Sequence, residues 1–119
     1  MSSPARQIMA ETRRSKYGNK PTEVDGVTFS SKKEARRYGE LKLLHRAGEI
    51  FDLQVQPRFP LDVNGQPICA YVGDFAYRKA GQAALTVEDV KSPVTRKNPV
   101  YRLKIKLLKA VRGIEVVEV

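Results

Sequence analysis

The chain has 119 residues, the size of one domain, with 41% hydrophobic residues and a mean hydropathy of −0.43. It holds no run of the about 20 apolar residues that a membrane-spanning helix needs, and no apolar stretch near Met1 reads as a secretion signal. A net charge of +9 favours a polyanionic partner, and a single cysteine, Cys69, excludes an intramolecular disulfide, so a reducing cytoplasm is the simplest assumption.

Residues 1–20 carry Arg6, Arg13, Arg14, Lys16 and Lys20 with little apolar periodicity. They read as a basic N-terminal arm, at least partly mobile, that either lies along DNA or is a solvated tail. Residues 21–119 read as one domain. Asp25-Gly26 between short β-prone runs predicts a tight hairpin. Ser31-Lys32-Lys33-Glu34 opens a helix that runs to about Arg46 and stops at Gly48. Phe51 to Leu61 predicts a strand, which Pro57 and Pro60 confine to an edge or bend. Asn64-Gly65 marks a second hairpin turn. Ile68 to Tyr77 and Ala84 to Lys91 predict two more strands, and Cys69 reads as a core residue of the first. Ser92 to Lys97 is a polar loop. Asn98-Pro99 supplies an N-cap and a proline at the first helical position, for a helix that ends at Gly113. Ile114 to Val119 closes the chain as a strand.

Strand side chains alternate between faces. Leu85, Val87, Asp89 and Lys91 therefore share one face, and Ile68, Ala70, Val72 and Asp74 share another. Two carboxylates continue apolar faces at neighbouring strand positions. Burying them unpaired is costly, and a divalent cation between them removes that cost. Oxygen ligands suit Mg²⁺ or Mn²⁺ better than zinc, which one His and one Cys could hardly hold. The plainer alternative is an Asp89–Lys91 salt bridge with Asp74 capping a turn. Glu34 shares a helical stripe with Tyr38, Leu41 and His45, which points it toward the sheet. It is equally placed to be a capping-box residue three positions after Ser31. His45 lies almost three turns along and reads as a core-edge histidine.

Asp74, then a turn, then Asp89-Val90-Lys91 resembles the PD-(D/E)XK nuclease signature. The order helix, three strands, helix, strand is similar to that superfamily's core. Ser30-Ser31-Lys32-Lys33-Glu34-Ala35, Gln56-Pro57, Asp74-Phe75, Glu88-Asp89-Val90-Lys91 and Tyr101-Arg102-Leu103-Lys104 resemble a family of small phage and prophage proteins within it. The likeness covers residues 16–119, with Gly73 where the motif's name has proline.

The resemblance implies an α/β fold with a restriction-endonuclease-like αβββαβ core, a mixed central sheet flanked by helices, preceded by the hairpin and the basic arm. It implies a Mg²⁺-dependent endodeoxyribonuclease, with Mn²⁺ as substitute, in the cytoplasm of a bacterial host. Asp74, Asp89 and the backbone carbonyl of Val90 would hold the metal. Lys91 would orient or activate the attacking water, and Glu34 would match the acid on the first core helix. Branched recombination intermediates are one substrate it suggests, and a homodimer follows as a hypothesis. Arg102, Lys106 and Lys109 cluster on one face of the last helix, with Arg112 nearby, either as DNA phosphate contacts or as a solvated face. Lys104 falls among Val100, Leu103, Leu107, Leu108 and Val111, where it either reaches the scissile phosphate or snorkels outward. Gln56, facing with Asp52 and Gln54, is a further site candidate. The rival reading is a catalytically inactive DNA-binding, adaptor or inhibitor protein that keeps the fold.

Overall fold

A computed structural model describes residues 21–119, so the basic arm of residues 1–20 lies outside the described residues. The described chain is mixed α/β, with eight strands and three helices. Its contacts divide it after Glu40 into two compact units.

The first unit contains β1 (Thr22–Val24) and β2 (Val27–Phe29), paired antiparallel. Asp25 and Gly26 both adopt left-handed conformations, φ 52° and 78°, as the expected two-residue turn requires. Helix α1 (Lys32–Arg46) follows, with Ser31 Oγ accepting the Glu34 N–H at 3.1 Å. The Glu34 carboxylate completes the cap, but one residue earlier than a capping box places it. Its Oε2 accepts from the backbone N–H and the hydroxyl of Ser30, at 3.2 and 3.1 Å. The Phe29 and Tyr38 rings lie 5.1 Å apart. The helix crosses the division between the units and ends before Gly48, φ 79°. His45, expected at the edge of a core, is exposed.

In the second unit two expected strands are each broken in two. Phe51 to Leu61 becomes β3 (Ile50–Val55) and β4 (Arg58–Val63), and Ile68 to Tyr77 becomes β5 (Gln66–Val72) and β6 (Phe75–Lys79). The two breaks are bound to each other: Gln56 N–H donates to Asp74 O at 2.9 Å, and Gly73 N–H donates to Pro57 O at 3.0 Å. Here the chain leaves one sheet for another. β4 and β5 form a hairpin about Asn64 and Gly65, while β3, β6, β7 (Leu85–Asp89) and β8 (Val116–Glu118) form a four-stranded sheet in the order β3-β6-β7-β8.

β7 and β8 are parallel, and such a pair needs a long crossover. It is made by α2 (Pro93–Arg96), where the sequence suggested only a loop, and α3 (Pro99–Arg112). Asn98 Oδ1 caps α3 by accepting from Val100 N and Tyr101 N, and Gly113 ends it at φ 68°. Phe59, Leu61, Tyr71, Ala76, Val87 and Leu108 form the core of this unit, with Tyr101, Ile105 and Leu107 packed against it. The Arg112 guanidinium ties the end of α3 to Pro60 O at 2.8 and 3.0 Å.

Two expected faces differ. Ile68 and Val72 are 56% and 53% exposed, while Tyr71 is buried and Cys69 packs against the core. The inner face of β5 is therefore the Cys69–Tyr71 face, and Asp74 does not inherit its alternation because the strand ends at Val72. On α3, Val100, Leu103 and Val111 are exposed, and the buried stripe centres on Tyr101, Ile105 and Leu108. A helix buries one stripe against its neighbour, and here the apolar arc is wider than the surface it covers.

Candidate active site

The antiparallel pairing of β6 with β7 sets Phe75 opposite Glu88. One step beyond that pair lie Asp74 and Asp89. Asp74 sits in the bend before β6, where its N–H donates to Glu88 O at 3.0 Å and its Oδ2 accepts the Val90 N–H at 2.6 Å. It is thus fastened to the backbone on both sides of Asp89. Asp89 continues the face of Leu85 and Val87 as expected, and it is only 1% exposed.

A carboxylate so dehydrated must be compensated. The Tyr71 hydroxyl donates to Asp89 Oδ2, and the Lys91 ammonium stands 3.2 Å from Oδ1. Lys91 is itself held over the Tyr101 ring, 4.7 Å from its centre. The Tyr101 hydroxyl donates to Glu118 Oε2 at 2.7 Å, on the strand parallel to β7. Burial, then the hydrogen bond to Asp89 and the charges of Asp89 and Asp74, push the Tyr71 phenol far above its usual range. Burial and the Glu118 bond do the same to Tyr101. Glu88 points away from Asp89, as alternation requires, and accepts from the buried Tyr77 hydroxyl.

Asp89 and Lys91 open onto a cleft of about 380 Å³ between β5 and the α2–α3 crossover, with Lys104 and Tyr101 also in its wall. The structure thus sets Asp89, Lys91 and Lys104 in the wall of one cleft, and Asp74 is tied to the chain next to Asp89 through the Val90 N–H. Gln56 joins through its backbone bond to Asp74, while its side chain is exposed. Glu34 belongs to the first unit, and its carboxylate is engaged by Ser30. Arg102, Lys106 and Lys109 are exposed along α3, and Lys109 pairs with Glu115 at 2.6 Å. That ammonium lowers the Glu115 carboxyl below its usual range.

Sequence reasoning missed Tyr71, Tyr101 and Glu118. The signal for Tyr71 was present, because a tyrosine facing the core needs a partner for its hydroxyl. Gly73 explains the departure from the motif's proline. A Cβ there would meet Val87 Cγ1 at 3.0 Å and Tyr71 Cε2 at 3.3 Å, and a proline would also lose the N–H bond to Pro57.

Among the described residues, no three His, Cys, Asp or Glu side chains are grouped to hold a metal. Asp89 in the wall of the cleft, with Asp74 beside it at the end of the β6–β7 pair, nevertheless fits Mg²⁺, which takes one or two protein carboxylates and fills its remaining positions with water or phosphate oxygens.

A family match covers residues 14–114, and the chain belongs to that family, described as protein of unknown function (DUF1064). Comparison with curated proteins and with solved structures finds no match.

Proposed function

We propose that this protein is a Mg²⁺-dependent endodeoxyribonuclease of the PD-(D/E)XK type that hydrolyses phosphodiester bonds of DNA. One observation carries the reading: buried Asp89 stands beside Asp74, faces Lys91 at 3.2 Å, and opens on a cleft that also holds Lys104. A salt bridge made only for stability gains little from being buried at the wall of an open cleft. The order of α1, antiparallel strands, α3 and a parallel closing strand supports a restriction-endonuclease-like αβββαβ core.

Asp74 and Asp89 would hold the metal, with Val90 O as the proposed backbone ligand. A bound Mg²⁺ supplies an acidified water and a Lewis acid for the phosphate. Lys91 stabilises negative charge that develops at the phosphate, and the Tyr101 ring keeps its ammonium in place. Tyr71 fixes the Asp89 carboxylate in one orientation. Lys104 contacts a neighbouring phosphate. A homodimer, a phage or prophage origin, branched DNA as substrate and action in a bacterial cytoplasm belong to the same proposal. No helix among the described residues is long and apolar enough to cross a membrane.

The rival has its own observation. Both Asp89 oxygens already have partners, Tyr71 and Lys91, so the site is charge-compensated without a metal. That favours a DNA-binding, adaptor or inhibitor protein that keeps the fold. Incubation with Mg²⁺ or Mn²⁺ and linear, nicked, circular and four-way-junction DNA separates the two. Cleavage of closed circles is expected, with Asp89→Asn and Lys91→Met each slowing it on the order of 100-fold or more. Absence of cleavage on every substrate, with DNA still bound, would establish the rival.

A further inference from the structure

The cleft beside Asp89 has a second character. Ala70 and Val72, at the end of β5, and Val100, near the start of α3, are its apolar lining residues. Val72 and Val100 are 53% and 60% exposed, and Ile68 and Leu103 extend exposed apolar surface along the same two elements. Val100 and Lys104 lie four residues apart on α3, so the apolar wall and a cation are about one helical turn from each other. Among the described residues Lys104 has no carboxylate partner, whereas Lys91 is committed to Asp89 and Tyr101. The cleft thus offers an apolar surface and a spare ammonium side by side, in a chain of net charge +9.

Duplex DNA presents phosphates and groove edges, with the faces of its bases hidden in the stack. An unpaired nucleotide presents a phosphate and a free apolar base face, the pair of features that single-strand binding surfaces engage. A cleft of about 380 Å³ is at the small end of ligand sites, suited to one nucleotide rather than a duplex.

We propose that this cleft is a subsite for one unpaired nucleotide of a DNA strand, with the base against Val72 and Val100 and the phosphate at Lys104. The proposal rests on the reading that DNA is the substrate, and it narrows that substrate to single strands, overhangs or unpaired junctions. Its test is fluorescence anisotropy in EDTA, where cleavage plays no part, with labelled oligothymidine, a blunt duplex of equal length, and the same duplex carrying a 3′ overhang.

The single strand and the overhang should bind about fivefold more tightly than the blunt duplex, the low end of one base contact because the valines have no aromatic face. The double variant Val72→Ser, Val100→Ser, at two exposed positions, should lose most of that preference and bind the duplex as before. Equal affinity for blunt duplex and single strand would overturn the proposal, as would a preference that survives in the double variant when circular dichroism shows it folded. Displacement of oligothymidine by thymidine monophosphate at comparable concentrations would also overturn it, because the ligand would then be a free nucleotide. Selective binding with no cleavage in Mg²⁺ would leave the subsite standing and remove the nuclease, while cleavage with unselective binding would do the reverse.

Discussion

Asp89 lies between a phenol and an ammonium, and that arrangement makes a residue-scale prediction independent of any activity. A tyrosine in an unfolded chain ionises near pH ~10. Burial and the adjacent carboxylates raise the folded value for Tyr71, so the fold prefers the neutral phenol. The stability this contributes is fully present below about pH 10 and is lost as pH rises above it. In an alkaline ultraviolet titration, phenolate absorbance from Tyr71 should therefore rise late, together with unfolding. Tyr71→Phe should reduce that late component to the share contributed by Tyr101, and at neutral pH it should cost about 1–3 kcal/mol, because Asp89 is left short of a donor. A variant titrating like the parent would mean that Tyr71 does not hold Asp89. Asp89 was legible in the sequence because strand alternation sets its face, while Lys91, two residues past the end of β7, is held on that side by its ion pair with Asp89 and its seat over the Tyr101 ring. The placement of Asp74 was not legible, because it depends on a break between β5 and β6 that is fixed by bonds to Gln56 and Pro57, far away in the chain.

At the scale of elements, local chemistry was the better guide. Both hairpin turns, the ends of α1 and the ends of α3 were readable, since caps and left-handed glycines act over a few residues. The splitting of two long strands into four was not, since pairing partners decide where a strand ends and the sequence does not state them. Asn98 tests the local part. Its side chain accepts from Val100 N and Tyr101 N, at 2.9 and 3.2 Å. Asn98→Ala should cost about 1 kcal/mol in thermal or denaturant unfolding, and Asn98→Asp should cost far less. Equal losses in the two variants would show that the bond is not what fixes the start of α3. Glu34 offers a parallel test. Its carboxylate accepts two bonds from Ser30, a role that glutamine can fill, so Glu34→Gln should unfold within about 0.5 kcal/mol of the parent. Full cleavage activity in that variant across a Mg²⁺ titration would leave Glu34 a cap and confine the proposed site to Asp74, Asp89 and Lys91.

At the scale of the whole molecule, charge dominates: 22 basic residues stand against 13 acidic ones. Such an excess draws a polyanion by releasing its counterions, and the salt dependence of binding counts the phosphates engaged. The exposed cations of α3 are not equivalent in this count. Lys109 is held by Glu115 at 2.6 Å, and Arg112 is spent on Pro60 O. Arg102 and Lys106 are exposed and have no carboxylate partner among the described residues. If α3 lies along DNA, each of these two should contribute nearly one unit to the slope of log affinity against log salt. Removing both as Arg102→Ala, Lys106→Ala should therefore flatten the slope by about two units on duplex DNA. Lys109→Ala should change it less, because its charge is already partly balanced by Glu115. The two variants alter one helix and should unfold alike, so a difference in slope would report on contact with DNA rather than on folding. Parental slopes in both the Arg102–Lys106 double variant and Lys109→Ala would move the duplex off α3. The basic residues of the N-terminal segment, Arg6, Arg13, Arg14, Lys16 and Lys20, would then be the next to remove.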